Sequence, residues 1–284
     1  MKIYPGCFPC FFQQAIRAAR LAGSDEKKIC QILKKVNNHL AGISLEKTPP
    51  EIGRVVYSVV SEVTGIQDPF VEIKARCIEE ALSMYPRFRD WIDDSSDVLE
   101  AAVKLSVAGN VIDFGTGQDF ELERDVQKIM AQDFTVFHIE EFKDRLKRAD
   151  SILFLADNAG ETVFDRLLIE EMKKPVLYAV RAKPVINDAV TEDAVKSGLE
   201  EVATIISSGS DLPGTLLSAC SEEFVKIFRS SDLIISKGQG NFECLSDEKS
   251  PIFFLLKVKC PVIAEYIRVE QGSILLMKTD SYDW

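Results

Sequence analysis

Along the first part of the chain, apolar residues recur at helical spacing. Phe11 to Leu21 and Glu26 to Leu40 each carry one apolar face. Gly23 stops the first stretch, and Ser24-Asp25 can cap the second. Pro49-Pro50 interrupts the pattern, and Pro50 fits the first turn of a helix running through Val63. Gly65 to Pro69 reads as a loop. Further helices are expected over Val71 to Tyr85 and Val98 to Asn110.

After about residue 150 the period changes to short apolar runs bounded by polar residues. These are Ser151 to Ala156, Pro175 to Val180, Val202 to Ser207, Asp232 to Ser236 and Ile252 to Val258, with Ser273 to Lys278 as a last strand. Helical patterns lie between several of them, notably Thr162 to Met172 and Thr215 to Phe228. Apolar strands alternating with helices indicate a mainly parallel sheet covered on both faces. The expected fold is α/β, with a helical domain over residues 1–118 and a three-layer, Rossmann-like α/β/α domain over 119–284 carrying most of the active site. Gly115-Thr116-Gly117 is the expected joint.

Composition narrows the function. Hydrophobic residues make up 46% of 284 and charged residues 28%, an ordinary globular balance. No apolar run approaches the roughly 18 residues of a membrane span. The first residues, MKIYPGCFPC, lack a signal-peptide pattern, so a cytoplasmic protein without a membrane partner is expected. The net charge of −11, with no Lys/Arg cluster, argues against nucleic acid as a partner. An acidic chain can still bind a phosphorylated metabolite if a metal or a local cationic pocket cancels the repulsion. A homo-oligomer is left open.

In open α/β sheets, ligands bind beyond the carboxyl ends of the strands. Four successive strand ends here carry polar or glycine-containing loops: Asp157 to Glu161, Arg181 to Asp188, Ser208 to Thr215 and Lys237 to Glu243. Asp157 with Asn158 offers hard oxygen ligands for a divalent metal, and Asp188 a further carboxylate. The same Asp-Asn-Ala-Gly also reads as a plain turn. Glu161 starts a helix and suits its dipole. Arg181 and Lys183 are either solvated surface charges or cations beside a metal, as phosphoryl transfer requires. Gly209 to Thr215 leads into the expected helix, either as an anion-binding helix start or as an ordinary N-cap. Lys237-Gly-Gln-Gly-Asn241 lacks the spacing of a Walker loop or dinucleotide fingerprint, so neither ATP nor NAD is supported.

Of seven scattered Cys, only Cys7 and Cys10 form a motif. Local packing is the plainer reading; zinc would need further ligands, and a redox pair is the other alternative.

The set Cys7-x-x-Cys10, Ala108-Gly-Asn110-x-Ile-Asp113-Phe-Gly, Asp157-Asn-Ala-Gly-Glu161, Arg181-x-Lys183-Pro-x-x-Asn187-Asp188 and Lys237-Gly-Gln-Gly-Asn241-Phe-Glu243 resembles the damage-control phosphatase family, in its prokaryotic Cys-x-x-Cys branch. The resemblance spans nearly the whole chain. It implies a divalent metal (Mn²⁺, Co²⁺, Ni²⁺ or Mg²⁺) on Asp157, Asn158 and Asp188, with Asp193 a second carboxylate nearby. It implies hydrolysis of phosphate monoesters of small metabolites, sugar phosphates or damaged phosphometabolites. On this reading Asp157, Lys183 and Lys237 are catalytic. Asn110, Asp113, Glu161, Arg181, Asn187, Gly209, Thr215 and Asn241 are then substrate-binding. Two alternatives are an S-adenosylmethionine-dependent carboxyl methyltransferase and a non-catalytic metal- or ligand-binding protein. The single glycine of Asp157-Asn-Ala-Gly makes a poor methyl-donor loop.

Overall fold

The computed structural model describes residues 1–111 and 122–279. The expected joint near residue 118 and Asp113 lie outside the described residues. Three helices open the chain: α1 (Phe8–Leu21), α2 (Glu26–Leu40) and α3 (Pro49–Thr64). Their ends follow local chemistry. The Asp25 side chain accepts from Lys28 N at 2.8 Å and starts α2. Thr48 and Glu51 form a capping box at α3, whose first turn takes Pro49 and Pro50, and Gly65 at φ 77° ends it. The buried faces of these helices, including Phe11, Ile32, Val36, Ile52 and Val56, make a core of their own that Phe70 joins from the loop before the next helix.

Next come α4 (Val71–Asp93), α5 (Val98–Val111), α6 (Leu122–Met130), β1 (Val136–Phe137) and α7 (Ile139–Arg148). The helix expected to stop at Tyr85 continues through Pro86 to Asp93. An interior proline costs about 3 kcal/mol, and burial of Phe88 and Ile92 in the main core offsets it. The two-residue strand β1 gave no readable run.

The rest alternates: β2 (Ile152–Leu155), α8 (Thr162–Met172), β3 (Val176–Val180), α9 (Thr191–Lys196), β4 (Thr204–Ser207), α10 (Glu222–Ser230), β5 (Leu233–Lys237), α11 (Gln239–Leu245), β6 (Ile252–Lys257), α12 (Pro261–Ile267) and β7 (Ile274–Lys278). The sheet order is β1-β7-β6-β5-β2-β3-β4. All neighbouring pairs are parallel except β6 with β7. The expected mainly parallel α/β sheet is what the chain forms.

Alternation along the strands builds two cores. Ile152, Phe154, Tyr178 and Ile235 join α4, α5, α7 and α8 on one face. Leu153, Leu155, Ile234 and Phe254 join α10, α11 and α12 on the other. One helix differs from expectation. No helix starts at Thr215; α10 begins at Glu222, capped by the Ser221 side chain on Phe224 N. The stretch before it is a loop with one short 3₁₀ turn, Leu217–Ala219. Among the described residues, no helix is long and apolar enough to cross a membrane.

Candidate active site

Strand β2 ends in Asp157-Asn158, and β3 ends in the 181–190 loop. Backbone hydrogen bonds stitch the two together: Ala189 N to Asp157 O and Ala159 N to Asn187 O, both 2.8 Å. Asn158 and Asp188 meet as an isolated antiparallel bridge. Two loops separate in sequence thus bring Asp157, Asn158 and Asp188 to one place at the sheet's carboxyl edge.

All three line a cavity of about 230 Å³, with Asn187, Gln239, Glu243 and Lys259. The loops after β2, β3 and β6, with helix α11 after β5, supply these charged and polar groups. The first helices supply a largely apolar wall, including Phe11, Pro49, Pro50 and Gly53.

A buried shell holds the carboxylates. Asn110 Nδ2 donates to Asp157 Oδ2 at 2.9 Å and to Glu161 Oε1 at 2.7 Å. Asn158 Nδ2 also donates to Asp157 Oδ2, at 3.0 Å, and to Glu161. With its nitrogen used on carboxylates, the Asn158 carbonyl is the end left for a cation. Arg181 Nε donates to Asp188 Oδ2 at 2.8 Å. The same guanidinium reaches Thr215 Oγ1 and Asn241 Oδ1, each at 3.0 Å. Lys237 Nζ is fully buried, 3.1 Å from Glu161 Oε2 and 2.5 Å from Asp165 Oδ1. Burial opposes its charge, yet Asp165 and Glu161 hold its pKa above the ordinary lysine value.

The electrostatics favour a cation. Burial first, then the neighbouring Glu161 and Asp188 charges, push the Asp157 carboxyl well above the usual carboxylate range. Burial likewise raises Asp188, against the opposing pull of Arg181. Crowded buried carboxylates titrate upward when a positive charge is lacking. Among the described residues there is no cluster of three or more His, Cys, Asp or Glu arranged to hold a metal. Carboxylate, amide and carboxylate instead fit an open site for a hard divalent ion that keeps water or substrate oxygens as its remaining ligands.

Several expected site residues sit elsewhere. Lys183 is exposed and does not line the cavity. Lys237 is sealed behind Glu161, so it positions a carboxylate and does not meet a phosphoryl group. Asn110, Glu161, Arg181, Thr215 and Asn241 are buried behind the cavity as a supporting network. Gly209 is off the cavity, with φ 75° and Ser221 in the space that a Cβ would need. The helix-start anion site proposed for that loop does not exist, because no helix begins there. Asp193 accepts from Val190 N and pairs with buried Lys74, which leaves Asp188 as the cavity carboxylate. Asn187 lines the cavity as expected.

Sequence reasoning missed Lys259, the cation that does line the cavity. It follows β6, so the strand-end rule that found the other loops would have found it. Glu243 also lines the cavity, and burial pushes its carboxyl up to about 7.

A parallel-sheet enzyme with an acidic, metal-suited centre and a facing lysine is the class that this fold and site define. The model for the damage-control phosphatase ARMT1-like domain matches residues 3–275, and the chain belongs to that family. The chain is 36% identical to the damage-control phosphatase PH1575 of Pyrococcus horikoshii, over 98% of each chain. It is 31% identical to a damage-control phosphatase of Archaeoglobus fulgidus, over 97% of this chain and 98% of that one. It is also 36% identical to the uncharacterized protein MJ0202 of Methanocaldococcus jannaschii, over 98% and 96%. The crystal structure of the Pyrococcus horikoshii protein, described as a DUF89 family protein, superposes with a TM-score of 0.89 at 34% identity, covering 99% of this chain and all of that one. These relatives support a phosphatase role.

Proposed function

We propose that the chain is a divalent-metal-dependent phosphatase hydrolysing phosphate monoesters of small metabolites. The observation that carries this reading is the convergence of Asp157, Asn158, Asp188 and Lys259 on one small cavity. Asp157, Asn158 and Asp188 would hold the metal, which when bound polarises a phosphoryl oxygen and orients the nucleophile. Lys259 balances the charge that the phosphoryl group presents in the transition state. Arg181 holds Asp188 in place, while Asn110 and Asn158 fix the Asp157 carboxylate. Glu243 keeps a proton near neutrality at the cavity wall, where it can serve a departing alkoxide. A cavity of about 230 Å³ suits a compact ester.

The test is phosphate release from p-nitrophenyl phosphate and a panel of sugar phosphates. The protein is stripped with EDTA, and Mn²⁺, Co²⁺, Ni²⁺ or Mg²⁺ is then added back. Activity restored by metal and absent in Asp157→Ala supports the reading. No release under any metal overturns it.

A further inference from the structure

Three thiols share the catalytic cavity. Cys7 and Cys10, at the start of α1, line it together with Cys260, which precedes α12. They come from opposite ends of the sequence, and burial raises the Cys7 and Cys10 thiols above the ordinary value, with the nearby Glu243 carboxylate adding to the rise. All are free thiols; Cys7 is buried and Cys10 exposed. Gln14 Nε2 donates to Cys10 Sγ at 3.4 Å and holds that side chain at the wall. The phosphatase reading gives none of these sulfurs a task. Metal chelation does not account for them either, since no such cluster is arranged among the described residues.

We propose that the Cys7–Cys10–Cys260 group is a thiol-modification site that takes a low-molecular-weight disulfide at Cys10 and closes to an internal disulfide, blocking the cavity. Cys10 is the entry thiol because it is the exposed one. Its thiolate attacks one sulfur of the small disulfide; that S–S bond breaks, a Cys10 mixed disulfide forms, and one small thiol leaves carrying a proton. A second cavity thiolate, Cys7 or Cys260, then attacks the Cys10 sulfur and releases the second small thiol. Two protein thiols are oxidised and one small disulfide is reduced to two thiols. A Cys10–Cys260 bond ties the start of α1 to the segment before α12 and needs the two Cα atoms within about 7 Å, whereas a Cys7–Cys10 bond closes the turn that opens α1 at the cavity wall. Cys260 adjoins Lys259, so a bond there also displaces the cavity's cation.

The experiment incubates the metal-loaded protein with oxidised glutathione, maps peptide masses, and measures phosphate release before and after dithiothreitol. Exposed Cys30, away from the cavity, is the internal control. The expected result is loss of two hydrogens, either within the one peptide that carries Cys7 and Cys10 or across the pair that carries Cys10 and Cys260, whereas Cys30 stops at a glutathionyl adduct. Turnover should fall at least tenfold, return with dithiothreitol, and persist in Cys10→Ser but not in Cys30→Ser. An unmodified Cys10, a Cys10 adduct that never loses its glutathione, or an internal disulfide with unchanged turnover overturns the proposal. The blocking of turnover rests on the phosphatase reading. If no ester turns over even in the reduced protein, that reading fails, and the peptide masses still decide whether the internal disulfide forms.

Discussion

Asp157 Oδ2 occupies the space that a side chain at residue 238 would need: a Cβ built on Gly238 falls 2.0 Å from that oxygen. Gly238 also has φ 77°, a conformation that only glycine adopts without strain. It ends β5 next to the end of β2, so it lets the neighbouring carboxylate stand upright. Gly238→Ala is expected to displace Asp157 and lower activity at least a hundredfold. Metal titration by calorimetry should show weakened binding, and a thermal melt should show a loss of roughly 1 kcal/mol or more from the backbone alone.

The Arg181–Asp188 pair gives a second test. Both side chains are almost fully buried. Removing one partner of a buried pair leaves an uncompensated charge, at a cost of about 3–5 kcal/mol. Asp188→Asn should therefore lower both metal affinity and stability. Denaturant unfolding with and without Mn²⁺ separates the two effects: the destabilisation persists without metal, and the metal's stabilising increment shrinks.

Lys237 and Lys259 should respond in opposite ways. Lys237 is fully buried against Glu161 and Asp165. Lys237→Ala should destabilise by about 3–5 kcal/mol, and activity should fall with the fold. Lys259 is exposed at the cavity. Lys259→Ala should leave the melting temperature within about a degree, as exposed sites usually change stability by under 0.5 kcal/mol, while kcat/KM drops a hundredfold or more. Equal losses of stability in the two variants would contradict this division.

Glu243 predicts a pH dependence of stability. Its carboxyl is raised in the fold from an ordinary 4.5 to about 7. Between those values the folded protein binds the extra proton, so the contribution of Glu243 to stability is greatest below about 4.5 and falls as pH rises towards 7. The loss from this one group is on the order of 3 kcal/mol. Melting the wild type and Glu243→Gln across this range without metal should give a visibly flatter profile for the variant.

The sequence by itself determined the sheet and the meeting of Asp157, Asn158 and Asp188 at its carboxyl edge. Runs such as Ile152 to Leu155 and Leu233 to Lys237 are apolar because both faces of a parallel sheet are covered, and that demand is local enough to be read. Asp157, Asn158 and Asp188 were legible because ligands gather at strand ends and their motifs carry the family resemblance. The position of α10 was misread because Thr215 to Cys220 is apolar enough to mimic a helix, while Ser221 provides the actual cap. What only the tertiary structure decided is which charges face the cavity. Lys237, Arg181 and Asn241 look like ligand-binding groups in the sequence, yet packing buries them, turning Lys237 and Arg181 onto carboxylates and Asn241 onto Arg181 and backbone carbonyls. Lys259 and the thiols Cys7, Cys10 and Cys260 reach one wall because α1–α3 lie against the sheet's carboxyl edge, with Gly53 on Pro213 and Pro50 on Gly214. Burial is a property of the whole packed chain, and no local spacing encodes it.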